Sequence, residues 1–196
     1  HMVSALQKAP AERVTYVPLV GGMGRLRMEL HANSLAEKMS RLGDGTFIPL
    51  HAPARVSSTL VRDELMKEES VQDAVKLMNR IDVALVGIGY PNEHSAIKAT
   101  GYYKENEIES LISRKAAGEL CMQFYDMEGR TEPYVSDNAV IGMDIQRLCK
   151  VPCSVGIAGG REKLEAIQGA INGKYINVLI TDTECARALL SDEEEE

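Results

Sequence analysis

The chain has 196 residues, 44% of them hydrophobic and 26% charged, which are ordinary values for a globular domain with one sizeable core. Its formal net charge of −7 argues against a nucleic-acid-binding surface, because phosphodiester backbones repel an acidic chain. No apolar run approaches the roughly 20 residues that span a bilayer, and no secretory signal is found, so the sequence predicts a cytoplasmic protein.

Strands and helices alternate along the chain, and this pattern predicts an α/β fold with a Rossmann-like parallel sheet and flanking helices. The first predicted strand is rich in β-branched residues and leads into a glycine loop at 21–24. Leu35, Met39 and Leu42 recur at helical spacing and predict the first helix. The elements predicted in this half are a strand over 14–20, a helix over 34–41, a strand over 46–50, and helices over 59–67 and 71–79, the last with Ser70 as its N-cap.

The second half begins with the apolar run Val83–Val86, which is short enough for a buried parallel strand and ends in a second glycine loop. The segment from Asp126 to Gly129 predicts a tight turn, because glycine tolerates positive φ. The other predicted elements are a helix over 105–114, strands over 120–125, 154–158 and 178–181, a helix over 161–171 and a last helix that Asp182 caps. The sequence gives no sign of an internal repeat or a second domain boundary.

Glycines follow three of the predicted strands, at the end of the sheet where open α/β folds bind ligands. Glycine lets the backbone approach a ligand closely and expose consecutive N–H groups. The third loop also opens a helix, where an anion is favoured, and Arg161 and Lys163 add positive charge. One such loop is usually turn geometry, but three together predict a site for an anionic small molecule. The glycines concerned are Gly21, Gly22, Gly24, Gly87, Gly89, Gly159 and Gly160.

Three further polar residues are site candidates, each with a structural alternative. Asn33 is either a ligand contact or part of the cap of the helix that follows it. Glu119 lies where the chain enters an apolar strand, and is either an acceptor for a ligand or a solvated strand end. Lys98 follows the second glycine loop and is either a phosphate contact or an ordinary surface lysine.

Catalytic and metal-binding motifs are missing from the sequence. It has no G-x-S-x-G elbow, no Walker lysine and no H-E-x-x-H pair. Cys149 and Cys153 are three residues apart, but no second pair or nearby histidine completes a zinc site. We therefore expect reduced thiols, no catalytic residue, no metal and no cofactor.

Short motifs follow one another in a characteristic order, and their combination is more specific than any one of them. Together they resemble the sugar-binding domain of SorC/DeoR-type transcription regulators, over roughly Val14 to Leu190. The motifs are Val17-Pro-Leu-Val-Gly-Gly-Met-Gly-Arg25, His31-Ala-Asn-Ser34, Leu85-Val-Gly-Ile-Gly89, Gly118-Glu-Leu-Cys121, Ile157-Ala-Gly-Gly-Arg-Glu-Lys163 and Leu179-Ile-Thr-Asp182.

The resemblance implies a fold similar to ribose-5-phosphate isomerase and glucosamine-6-phosphate deaminase, the NagB/RpiA/CoA transferase-like superfamily. It implies a phosphorylated sugar as effector and a homodimer or homotetramer that rearranges on DNA when the effector binds. By the same resemblance the glycines of the first loop line the ligand. Glu119 accepts hydroxyl groups, and Lys163 pairs with phosphate or hydroxyl oxygens.

The resemblance also implies a division of the chain. His1 and Met2 are expected to remain from an expression tag, 3–191 to form the effector-binding domain, and 192–196 to be an acidic tail. Family members carry an N-terminal helix-turn-helix and a first strand with a phosphate-binding loop, and neither is found in this sequence. The leading hypothesis is an effector sensor without turnover. The alternative is a sugar-phosphate isomerase or deaminase that uses Glu119 and Lys163 as acid and base.

Overall fold

A computed structural model of the chain describes residues 2–7, 13–23, 31–92 and 101–191. Its helices are α1 (Met2–Ala5), α2 (Ala32–Leu42), α3 (Thr59–Leu65), α4 (Glu69–Met78), α5 (Glu105–Ser113), α6 (Leu164–Asn172) and α7 (Thr183–Ser191). Its strands are β1 (Thr15–Tyr16), β2 (Thr46–Phe47), β3 (Val83–Gly87), β4 (Gly118–Leu120), β5 (Gln123–Tyr125), β6 (Cys153–Ile157) and β7 (Val178–Ile180). No helix within these ranges is both long and apolar enough to cross a membrane.

The chain divides into two compact units, and the first contains His1–Arg80 and Ala139–Met143. In this unit β1 and β2 run parallel, with Thr15 opposite Thr46, and α2 packs against both strands. Apolar side chains of α4 are buried, because Val71, Ala74 and Met78 recur on one face of the helix. The helical periodicity predicted for this half is confirmed.

Residues 139–143 join the first unit through backbone hydrogen bonds. The N–H of Gly21 donates to the carbonyl of Ile141, and the N–H of Ile141 donates to the carbonyl of Ala54, both at 2.9 Å. Val20 forms an antiparallel bridge with Gly142. The first strand is therefore shorter than predicted, because the backbone near Val20 pairs with this later segment and not with β2.

The second unit contains Ile81–Asn138 and Asp144–Glu196 and is built on a three-stranded parallel sheet in the order β3-β6-β7. Val83 lies opposite Cys153, and Val155 lies opposite Val178. Helix α6 connects β6 to β7, as parallel strands require. The predicted parallel sheet with helices beside it is confirmed for this unit.

One face of this sheet is apolar but uncovered, although β3 was predicted to be buried. Val83 is 55% exposed and Ile180 is 51% exposed, whereas Ala84 and Val86 on the other face of β3 are 1% and 4% exposed. We call this surface the open face. Its exposed apolar side chains are Val83, Leu85, Val178 and Ile180, and on the same face of the central strand Ile157 is half-buried and Val155 is buried.

The single strand predicted over 120–125 is wrong, because the segment forms the antiparallel hairpin β4–β5. The turn places Cys121 at φ 51° and Met122 at φ 63°, a conformation that normally selects glycine or asparagine. Without either residue the sequence carries no hairpin signal. The tight turn at Asp126 is confirmed, since the N–H of Gly129 donates to its carbonyl at 3.0 Å and Gly129 has φ 78°.

Two helix starts differ from the prediction. Helix α4 begins at Glu69 with Glu68 at the N-cap position, so Ser70 lies inside the helix. Helix α2 begins at Ala32 after His31, so Asn33 is also inside its helix and does not cap it. In both cases the side chain expected to cap the helix lies within the first turn.

Candidate functional site

The carboxyl ends of β3 and β6 lie side by side, because Gly87 pairs with Ile157 in parallel register. After β6 the chain passes through a short 3-10 segment, Arg161–Lys163, before α6 begins. The ammonium of Lys163 donates a hydrogen bond to the carbonyl oxygen of Ile88, just after β3, at 2.9 Å. A cation from one strand end is thus held against the other strand end.

Glu119 approaches the same place from the hairpin. Its backbone forms an antiparallel bridge with Gly89, with N–H to carbonyl distances of 2.9 and 3.0 Å. Its carboxylate accepts a hydrogen bond from the N–H of Met122 at 2.8 Å, which also helps to hold the tight turn. A side chain at position 89 would overlap the Glu119 carboxylate, so any residue other than glycine there would displace this carboxylate.

The carboxyl group of Glu119 has an unusual protonation equilibrium. Burial raises the pKa of Glu119 to about 7, and the hydrogen bond from Met122 and the charge of Lys163 offset only part of this effect. Burial, together with the charge of Glu119, also raises the pKa of the Cys121 thiol to about 12. The site therefore contains an acceptor that gains or loses its proton near neutral pH and a thiol that stays protonated.

Asp182 follows β7 and binds two backbone groups. One carboxylate oxygen accepts a hydrogen bond from the N–H of Cys185 at 2.8 Å, which confirms that Asp182 caps α7. The other accepts a hydrogen bond from the N–H of Gly160 at 2.7 Å. These two bonds lower the pKa of Asp182. The sequence predicted the cap, but it contains no signal for the second bond, because the two residues are 22 positions apart.

Four of the described loop glycines donate their N–H groups to other parts of the protein. The N–H of Gly21 donates to Ile141, that of Gly22 to Ala52, that of Gly89 to Glu119 and that of Gly160 to Asp182. At these four positions the N–H groups are therefore not exposed as the sequence predicted, because they are bonded within the protein. Gly87 ends β3, and a side chain built there would meet open space. Gly159 would place a side chain 2.6 Å from the Asp182 carboxylate.

The remaining candidates lie elsewhere. In the first unit, the side-chain amide of Asn33 donates to the carbonyl of Leu50 and accepts from its N–H, both at 3.0 Å. Both ends of this amide therefore hold the segment after β2. Gly24 and Lys98 lie outside the described residues. Gly89, Glu119 and Lys163 are the predicted residues that converge, and the Ile88 carbonyl is the group at their centre that the sequence did not indicate.

No cluster of three or more histidine, cysteine, aspartate or glutamate side chains suited to a metal ion occurs in the described part of the chain. Each cysteine is a free thiol: Cys121 and Cys153 are half-buried, Cys149 is exposed and Cys185 is buried. The polar groups that converge at the strand ends are suited to hydroxyl groups and anions.

Known proteins resemble this chain over almost its whole length. The Sugar-bind family of sugar-binding domains matches residues 1–191. The sorbitol operon regulator of Klebsiella pneumoniae is 31% identical over 185 residues, and the deoxyribonucleoside regulator of Bacillus subtilis is 28% identical over 192 residues. These alignments cover 94% and 95% of this chain. The chain spans 59% of the length of each of these curated relatives.

Solved structures give the same result. The crystal structure of the full-length Klebsiella regulator superposes with a TM-score of 0.88 at 31% identity, over 96% of this chain and 62% of that one. A sugar-binding domain of a transcriptional repressor from Vibrio fischeri superposes with a TM-score of 0.85 at 25% identity, over 98% of this chain and 76% of that one. The chain therefore belongs to the Sugar-bind family, the sugar-binding domain of SorC- and DeoR-type transcription regulators.

Proposed function

We propose that this chain is the effector-sensing part of a bacterial transcription regulator and binds a phosphorylated sugar at the carboxyl ends of β3 and β6. The observation that carries the proposal is the convergence of Glu119 and Lys163 on the segment Ile88-Gly89. A carboxylate accepts sugar hydroxyl groups, and an ammonium attracts a phosphate or bonds to further oxygens. The two groups together match a ligand with hydroxyl groups and an anion.

Three further residues are proposed to line the same ligand. Gly87 leaves open space at the end of β3, and Gly89 lets the Glu119 carboxylate approach. Lys98 is proposed to contact phosphate. Gly21, Gly22, Gly24 and Asn33 stay proposed as ligand-binding residues of the first unit, and Gly159 and Gly160 as ligand-binding residues of the loop after β6. For Gly21, Gly22 and Gly160 such a contact would use the carbonyl or the α-carbon, since their N–H groups are bonded within the protein.

We further infer that the domain binds its effector without turnover. The named relatives are regulators, and the thiol nearest the site stays protonated because the pKa of Cys121 is raised to about 12. The fold is proposed to be that of ribose-5-phosphate isomerase and glucosamine-6-phosphate deaminase. The regulator is proposed to act in the cytoplasm as a homodimer or homotetramer, and to contact DNA through a helix-turn-helix that this sequence does not contain.

The open face supports a proposal about the extent of the domain. Parallel sheets are normally covered on both faces, yet Val83 and Ile180 are more than half exposed. About a quarter of the Vibrio fischeri sugar-binding domain has no counterpart here. We propose that 3–191 is the larger part of the effector domain without the family's first strand, and that further chain in the regulator covers the open face. Residues 1–2 are proposed to be a tag remnant, and residues 192–196 an acidic tail.

A thermal-shift screen tests the sugar proposal. The melting temperature of this chain is measured with a panel of phosphorylated sugars and their unphosphorylated counterparts. A ligand at a hundredfold excess over its Kd stabilises the folded state by about 2.7 kcal/mol, so a binder raises the melting temperature by several degrees. We expect at least one phosphorylated sugar to stabilise the chain more than its counterpart.

Variants assign the effect to the site. Lys163→Gln removes the positive charge and should reduce the shift given by the sugar phosphate, and Lys163→Ala should do the same. Lys150→Ala, which removes an exposed lysine of the same unit, should leave the shift intact. A screen in which no phosphorylated sugar stabilises either this chain or the full-length regulator would refute the proposal, and so would a stabilising sugar phosphate that Lys163→Gln binds equally well.

A further inference from the structure

We propose that Asp182 is a positioning residue for Lys163. Its carboxylate anchors Gly160, and through it the 3-10 segment Arg161–Lys163, so that the Lys163 ammonium is kept at the end of β3. The importance of this position for ligand binding rests on the proposed function, but the positioning itself does not.

The contact between Asp182 and the loop after β6 is close. The N–H of Gly160 donates to the Asp182 carboxylate at 2.7 Å, and Gly160 has φ 98°, a conformation that L residues rarely adopt. Gly159 lies so near that an added Cβ would be 2.6 Å from the same carboxylate oxygen. Two consecutive glycines thus allow the backbone to wrap around one carboxylate.

The loop transmits this contact to the lysine over a short distance. The N–H of Lys163 donates to the carbonyl of Gly160 at 3.0 Å, which closes the 3-10 turn. The side chain of Lys163 then reaches the Ile88 carbonyl at 2.9 Å. An unbroken series of hydrogen bonds therefore links the end of β7 to the end of β3.

Helix capping alone does not account for this arrangement. A cap needs one side-chain oxygen, and Asp182 supplies it to Cys185. Serine, threonine or asparagine would cap equally well. The second oxygen has no part in the cap, because its donor lies in another loop. The charged carboxylate, whose pKa is lowered by both N–H donors, holds the two loops together.

Lysine labelling tests the positioning without any ligand. The chain is labelled with traces of acetic anhydride, and the acetylation rates of Lys163 and Lys150 are compared by mass spectrometry. Asp182→Ser keeps a capping oxygen but is too short to hold Gly160, and Gly159→Ala displaces the carboxylate from the other side. We expect both variants to raise the Lys163 rate several-fold and to leave the Lys150 rate unchanged.

Asp144→Ser is the matched control, because Asp144 caps the 3-10 segment Ile145–Lys150 by accepting a hydrogen bond from Gln146 and has no such link to Lys163. It should leave the Lys163 rate unchanged, and circular dichroism should show that all variants fold. Amide exchange at Gly160 reports directly whether its bond to Asp182 is lost. An unchanged Lys163 acetylation rate despite fast amide exchange at Gly160 would overturn the proposal. An equal rise in the Lys163 acetylation rate in Asp144→Ser would also overturn it.

A binding titration separates the positioning proposal from the sugar-binding proposal. The ligand is the sugar phosphate that gives the largest rise in melting temperature. Asp182→Ser should weaken binding in the wild-type background and have no further effect once Lys163→Gln is present. If labelling changes as expected but no sugar phosphate binds the wild-type chain, Asp182 still positions Lys163 and only the sugar proposal is lost. Equal weakening by Asp182→Ser in both backgrounds contradicts an action through Lys163.

Discussion

Glu119 has both a structural role and a proposed ligand-binding role. Its carboxylate accepts the Met122 N–H of the hairpin turn, and its backbone is bonded to Gly89. Because burial favours the neutral form, the pKa of this group is raised to about 7. A sugar hydroxyl would instead favour the charged form, since a carboxylate is the stronger acceptor.

This protonation equilibrium predicts a pH dependence of stability. A raised pKa in the folded state stabilises the fold below about pH 4.5, and the contribution is lost as the pH rises through about 7. The wild-type chain should lose up to about 3 kcal/mol relative to Glu119→Gln over this range. Urea unfolding of both chains between pH 4.5 and 8 measures the difference. A difference that does not vary with pH would show that Glu119 titrates normally.

At the scale of single residues, the sequence predicted Gly89, Glu119 and Lys163 as site residues, and the fold brings these three together. Glu119 lies where the chain enters an apolar strand and Lys163 shortly after another one, and both placements are visible in the sequence. Whether the N–H of Gly89 or Gly160 is free depends on pairing with Glu119 and Asp182. Such long-range hydrogen bonds leave no local pattern, so the sequence could not predict them.

Two helices of the second unit end in the same unusual way. Lys115 follows α5 with φ 59°, and Lys174 follows the end of α6 with φ 57°. In each case the N–H of the following residue donates to a carbonyl five residues earlier. Ala116 donates to Leu111, and Tyr175 donates to Ala170, both at 3.0 Å. This is the Schellman ending, in which glycine is normally found.

Lys115→Gly and Lys174→Gly should therefore stabilise the protein, because glycine removes the steric cost of positive φ at two exposed positions. Each change should add about 0.5–1 kcal/mol, which corresponds to roughly 2 °C in melting temperature. Lys150→Gly, at a position without positive φ, should not stabilise. Thermal unfolding followed by circular dichroism decides the matter, and a lower melting temperature for both glycine variants would contradict the interpretation.

Elements with strong periodicity were predicted well, and those defined by turns were not. The apolar face of α4 and the run that forms β3 determine their own secondary structure. The β4–β5 hairpin was predicted as one strand, because cysteine and methionine are not typical of the positive-φ turn that Cys121 and Met122 form. The turn is held by the hydrogen bond from the Met122 N–H to the Glu119 carboxylate, a local contact that no glycine or asparagine marks in the sequence.

For the whole molecule, the open face is the main departure from a buried sheet. The sequence shows β3 as an apolar run, and such a run is compatible with burial on both faces. Val83 and Val86 point to opposite faces and are 55% and 4% exposed. The periodicity of the strand does not indicate which of these two valines is buried.

Substitution of these two valines by threonine tests the proposed covering of the open face. In this chain Val83→Thr should cost under about 0.5 kcal/mol, and Val86→Thr about 1–3 kcal/mol, because only the second buries a hydroxyl group. In the full-length regulator the cost of Val83→Thr should rise towards that of Val86→Thr. Urea unfolding of both chains measures the costs. An equally small cost for Val83→Thr in the longer chain would mean that the face stays uncovered.

The Glu119–Lys163 site is proposed to recognise a phosphorylated sugar. The most direct test is a calorimetric titration of the best sugar phosphate and its unphosphorylated counterpart into wild type, Lys163→Gln, Glu119→Gln and Lys150→Ala. Lys163→Gln should reduce the preference for the phosphate roughly 10- to 100-fold, as expected for a lost charge-assisted hydrogen bond. Glu119→Gln should weaken both ligands, and Lys150→Ala neither. An unchanged phosphate preference in Lys163→Gln would contradict the account.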